Sequence, residues 1–170
     1  MSIKSDIYRE QPYWLNFIFF GNMYQLDYRT TINDGETIYL QLKTPPDFLI
    51  HILKRIIRVE GETVQMRLIK EPTITDGTNE LTPQNLDDRF DKNSNLIIYD
   101  NPTAVSGGTE KARSVAYGAT RGNVQASGLF DEVDIERVLE KGLDYVIEFV
   151  NEGETPTDLL FSMLYYESRN

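Results

Sequence analysis

The chain has 170 residues and a formal net charge of −10 at pH 7, with 40% hydrophobic residues, ten tyrosines, eight phenylalanines and one tryptophan. That apolar content excludes a disordered chain and suits a single domain with a sizeable core. The absence of cysteine excludes disulfides, thiolate metal sites and cysteine nucleophiles, and so acidic a surface repels nucleic acid.

The first apolar run, "YWLNFIFF" at 13–20, is too short to cross a bilayer and is broken by Asn16. It reads as an early core or interface strand, so residues 1–20 are expected to form an N-terminal arm or first strand and 21–170 a sandwich domain. No membrane partner is expected, and no signal-peptide cleavage pattern is present. In "ETIYLQLK" (36–43), Ile38, Leu40 and Leu42 alternate with polar residues, the period of a half-buried strand. "FLIHILKRIIR" (48–58) fits a helix as well as a strand; Pro45 and Pro46 before it and a turn after it favour strand. "TVQMRLIK" (63–70) alternates again, and the turn "EGET" between them predicts a 48–59/63–70 hairpin.

Two long polar stretches follow, 72–94 and 102–128, separated by the apolar "NLIIYD" (95–100). Each begins with Pro-Thr and soon reaches Gly-Thr, in "EPTITDGT" (71–78) and "NPTAVSGGT" (101–109). Proline removes a ladder donor and glycine supplies positive φ, so each copy predicts a strand exit. The second stretch carries Lys111, Arg113 and Arg121 against Glu110, whereas 131–154 holds nine acidic residues against Arg137 and Lys141. A mildly basic, flexible loop on an acidic body is expected. "FDEVDIERVLEK" (130–141) suggests a short helix capped by Asp131. "LDYVIEFV" (143–150) and "DLLFSMLYYE" (158–167) predict a second hairpin, with Tyr165 and Tyr166 on opposite faces and one of them exposed or interfacial. The whole predicts an all-β, mainly antiparallel, jelly-roll-like β-sandwich with long loops and at most one or two short helices.

Little in the chain points to catalysis, and no enzyme activity is expected. His51 is the only histidine and lies between Ile50 and Ile52, where a structural or surface role is expected. No phosphate loop, nucleophile elbow or paired-histidine metal pattern occurs. Asp91, Asn93 and Asn95 have the spacing that opens a calcium loop, but Leu96 replaces the turn glycine and Pro102 the bidentate glutamate. No metal and no cofactor are therefore expected. Trp14, Phe17, Phe19 and Phe20 read as core first and as a contact or sugar-stacking surface second.

The succession "VQMRLIKEPTITDGTNELTPQNLDDRF", "NLIIYDNPTAVSGGTE", "RVLEKGLDYVIEFVNEG" and "LLFSMLYYE" resembles a family of small tailed-bacteriophage virion proteins, the capsid decoration (head cement) proteins. Its landmarks fall here at Glu71, Pro72, Thr73, Gly77, Asn85, Arg89, Pro102, Thr103, Gly107, Tyr145, Asn151, Tyr166 and Glu167. The resemblance implies a structural protein made in the host cytoplasm, sited on the capsid exterior, with the major capsid protein as partner and a homo-oligomer, dimer or trimer, as its working state. Contact residues are then expected within 1–20 and 104–128: Trp14, Phe17, Phe19, Lys111, Arg113, Tyr117 and Arg121. The alternative is a carbohydrate- or receptor-binding module of tail or fibre, and the two Pro-Thr segments are expected as successive strand exits at one end of the sandwich.

Overall fold

The computed structural model describes residues 15–118, 128–132 and 136–169. After a short helix, α1 (Leu15–Phe19), come β1 (Met23–Ile32), β2 (Thr37–Lys43), β3 (Leu49–Glu60) and β4 (Val64–Lys70). Then follow β5 (Thr73–Thr75), β6 (Asn79–Leu81), β7 (Gln84–Asn85), β8 (Ile97–Asp100), β9 (Thr103–Ser106) and β10 (Thr109–Ala116). The chain closes with β11 (Gly128–Glu132), β12 (Arg137–Leu139), β13 (Asp144–Asn151) and β14 (Thr157–Ser168). One sheet runs β11-β3-β14-β1-β7, with β12 also on β3, and the other runs β10-β4-β13-β2-β8-β6. Every pairing is antiparallel, the first and last long strands lie side by side, and successive long strands β1 to β4 alternate between sheets, which is jelly-roll connectivity.

The alternation read from the sequence builds the core. Ile38, Leu40 and Leu42 from β2, Met66 and Leu68 from β4, and Ile147 and Phe149 from β13 meet Leu26, Ile57, Leu159, Phe161 and Met163 of the other sheet, all buried. Phe149 and Phe161 meet edge to face at 5.2 Å between ring centres. Each such side chain contributes about 1.5–3 kcal/mol by leaving water. The segment 48–58 is a strand, and its helix-like pattern has a cause. A bulge within it, where Leu53 is the extra residue facing the Leu164–Tyr165 step of β14, slips the alternation, so Ile50 and Ile52 point inward and then Arg55, Ile57 and Val59. Burial, with Arg137 adding repulsion, lowers the Arg55 guanidinium to about 10.

Several expectations are corrected. The described part of the first apolar run, 15–20, does not give a strand: Leu15–Phe19 is helical and stops at Gly21, φ 63°, where the amides of Gly21 and Asn22 return to the carbonyls of Ile18 and Phe17. That paired bonding is a Schellman cap, and a side chain at Gly21 would also strike the Phe90 ring at 2.5 Å. Neither expected hairpin forms. β3 and β4 lie in opposite sheets, as do β13 and β14, because each turn carries the chain across the sandwich. Within the span expected to be helical, 130–132 belong to β11 and 137–139 are β12, both laid on the edge of β3, whose free ladder groups outweigh local helix preference; 133–135 lie outside the described residues. The stretch 104–128 is no flexible loop over 109–116, which is strand β10 paired along β4. Both Tyr165 and Tyr166 are buried, on opposite faces, because α1 covers the outer one.

The two Pro-Thr segments have a different geometry from two exits at one end. Thr73 pairs with Ser106 and Thr75 with Thr103, so β5 and β9 form a two-stranded antiparallel ribbon of their own. β4 and β8 run in opposite directions. The segment after β4 crosses to β8, where Gly77 lies against Asp100; the segment after β8 crosses back, where Gly108 lies against Ile69 and Lys70. In each copy the residue before proline, Glu71 or Asn101, is left-handed (φ 51° and 50°) and donates the last ladder bond, to Asp144 and Tyr39 respectively.

Candidate functional site

The outer face of the β3/β14/β1 sheet is a grid set by register. Reading β1, β14 and β3 across, its rows are Met23–Tyr166–His51, Gln25–Leu164–Lys54, Asp27–Ser162–Ile56, Arg29–Leu160–Arg58 and Thr31–Asp158–Glu60. The first row is covered: Phe17 of α1 stacks on Tyr166 at 3.9 Å and Met23 is fully buried. The remaining rows are open. A depression of about 280 Å³ is lined by Gln25, Lys54, Ile56, Arg58, Leu160 and Leu164. It adjoins one of about 530 Å³ over Arg29, Thr31, Arg58, Glu60, Asp158 and Leu160.

Charges on this face differ in their satisfaction. Asp27 accepts from Ser162 and Gln25, and Asp158 accepts from Thr31. Arg29 and Arg58 are exposed and form no ion pair with any described residue, although they flank the half-buried Leu160. Two uncommitted guanidiniums around an apolar centre suit a partner carrying carboxylates around its own apolar spot, since planar arginine forks pair carboxylates bidentately.

Beside this face lies an aromatic pole. Phe19 and Phe20 are 53% and 68% exposed, and Phe90 packs its ring on Gly21 with Leu86 nearby, where the Leu86 amide bonds the Met23 carbonyl. The Arg89 guanidinium holds the Asp87 carboxyl below its usual range, through bonds of 2.8 and 2.5 Å, and sits 6.0 Å from the Phe90 ring centre. Chain segments 15–20 and 86–90 thus present one exposed apolar cluster.

The contact residues expected from sequence fall in separate places. Phe17 is spent in the stack on Tyr166, and Phe19 stands at the aromatic pole. Lys111, Arg113 and Tyr117 lie on or just after β10, the edge of the other sheet; Tyr117 is 71% exposed, whereas Arg113 is paired with Glu110 at 2.7 Å. Trp14 and Arg121 lie outside the described residues. Sequence reasoning left Phe20 out of its contact set and missed Leu86, Phe90, Arg29, Leu160 and Arg58. The last three are scattered along the chain and become a row only through pairing. Asn95, considered as a cation ligand, donates instead to the buried carboxylate of Glu167. Among the described residues no helix is long and apolar enough to cross a membrane.

The fold and this face define a jelly-roll sandwich with one open, mixed-character outer surface. No family model, curated protein or solved structure matches the chain.

Proposed function

We propose that the protein is a structural component of a tailed-phage virion, a decoration or cement protein that binds the outside of the head as a homo-oligomer. The observation that carries this reading is the Arg29–Leu160–Arg58 row, open and unpaired on a rigid sheet beside the exposed Phe19, Phe20 and Phe90. The resemblance of the strand and turn sequences to head cement proteins supports the same class. Attachment of this kind requires no strong single contact, because a repeated lattice raises the effective concentration of every further contact. The major capsid protein is the proposed partner, meeting the arginine row with acidic groups. The net charge of −10 keeps decorated particles apart in solution.

Co-sedimentation with phage heads lacking the protein tests the proposal. Saturable binding at fixed stoichiometry is expected, with a loss of about 100-fold in affinity for the double variant Arg29→Glu, Arg58→Glu, equivalent to about 2.7 kcal/mol. A folded protein that ignores heads but is retained on glycan arrays would overturn it in favour of a receptor-binding module.

A further inference from the structure

We propose that Ser168, His51 and Glu136 form a nucleophile, base and orienter able to hydrolyse small activated esters, an activity that goes beyond attachment. The pleat of the sheet builds the group. His51 lies opposite Tyr166 on β14 and opposite Val138 on β12. Ser168 and Glu136, two positions away on either side, are therefore its diagonal neighbours on the same outer face, within reach of side chains. Ser168 Oγ lies 2.8 Å from His51 Nε2, and His51 Nδ1 lies 2.5 Å from Glu136 Oε1. These are the separations that a serine, its base and the group orienting that base require.

The hydrogen bonds also assign the proton positions. The Tyr166 hydroxyl donates to Glu136 Oε1 at 2.6 Å, and an ionised carboxylate oxygen only accepts. In a neutral ring facing that ionised carboxylate the imidazole proton sits on Nδ1, which leaves Nε2 as acceptor and Ser168 as donor. The ring plane is fixed by stacking: His51 on Tyr166 at 4.4 Å and 10°, and Tyr166 in turn on Phe17. The His51 and Glu136 side chains are 14% and 30% exposed and Ser168 is partly exposed, so the group is accessible yet shielded.

In the reaction Ser168 Oγ bonds to the ester carbonyl carbon while its proton passes to His51 Nε2 and the carbonyl π pair moves to oxygen. Collapse re-forms the carbonyl and breaks the bond to the leaving oxygen, which takes the proton from Nε2. Water then repeats the sequence on the acyl-serine, releasing a carboxylic acid and restoring the hydroxyl. The balance is ester plus water to acid plus alcohol, with no cofactor. Ser168 and His51 are the catalytic residues; Glu136 and Tyr166 are positioning residues acting through His51.

The test uses the full chain, a fluorophosphonate probe with peptide mapping, and initial rates on p-nitrophenyl acetate across neutral pH. Labelling at Ser168 is expected, and so is a rate of p-nitrophenol release well above that of the Ser168→Ala variant. A loss of about 100-fold or more is expected in Ser168→Ala and His51→Gln. Glu136→Gln should lower kcat with little change in KM and alter the pH profile. Ser168→Ala removes one partly exposed hydroxyl and is the deciding variant, with near-ultraviolet circular dichroism confirming its fold. A wild-type rate equal to that of Ser168→Ala, or labelling confined to another residue, overturns the proposal. Since no capsid enters the assay, its outcome is independent of attachment.

Discussion

The two outer faces of the sandwich start from the same alternating pattern and end in opposite states. On the β2/β4/β13 sheet, outward-pointing Gln41, Val146 and Ile69 form a buried row, because the chain between β4 and β10 crosses over it beside the β5/β9 ribbon, and Glu148, one outward position further along β13, is buried beside Arg67. On the β1/β14/β3 sheet the equivalent positions, from Gln25 to Glu60, stay open beyond the single row that α1 covers. The difference shows what a roof demands. Under it every polar group needs a protein partner. Gln41 donates to Asp76 and Asp144 and accepts from the Gly77 amide, and Glu148 is held by Arg67 at 2.6 Å. On the open face water does this work, and Arg29 and Arg58 stay available to a partner.

The sharpest test of that contrast is Gly77→Val. Its Cβ would lie 2.3 Å from the Asp100 carbonyl oxygen, so the ribbon must lift. A loss of about 3 kcal/mol, or a Tm lower by roughly 6–12 °C, is expected in thermal unfolding. An unchanged Tm would mean that the ribbon does not press on the sheet. Gln41→Leu keeps the volume but removes the sheet's hydrogen bonds to Asp76 and Gly77 made by Gln41, with an expected cost of about 1–2 kcal/mol by urea unfolding. Leu160→Ser on the open face should stay within about 1 kcal/mol of wild type while weakening attachment to heads. A cost as large as that of the roof variants would erase the distinction between the faces.

The smallest expected effect is one of pH. Hydrogen bonds from Gln41, then Lys43, hold the Asp76 carboxyl below its usual range. Because the folded group ionises more readily than the unfolded one, its contribution is complete above the ordinary carboxylate range and fades as pH falls through it. The protection factors of the 73–77 amides, with the intrinsic pH dependence of exchange divided out, should therefore fall on acidification, and Asp76→Asn should remove that dependence. A variant that keeps the full dependence would assign it elsewhere.

Much of the strand content was legible because burial imposes period two, and "ETIYLQLK" and "TVQMRLIK" have no rival reading. Pairing was not legible. The "EGET" turn looks local, yet Gly61 carries the chain from one sheet to the other, and a short turn does not encode which strand receives its neighbour. The echo of Pro-Thr correctly marked two strand exits, but their pairing with each other depended on β4 and β8 running in opposite directions. His51 read as a bland residue in an apolar run, since its partners lie 85 and 117 positions away.

By itself, then, the sequence determined an all-β chain with an acidic surface, a single aromatic-rich core and two proline-marked departures from the ladder. These are local or additive properties, set by side-chain alternation, backbone restriction and charge count. Only the tertiary structure decided which outer face is roofed, that Arg29, Leu160 and Arg58 share a row, and that Ser168, His51 and Glu136 stand on one diagonal. Each of those depends on register between strands distant in the chain. Register follows from how the whole set of strands closes over its core, not from any one segment.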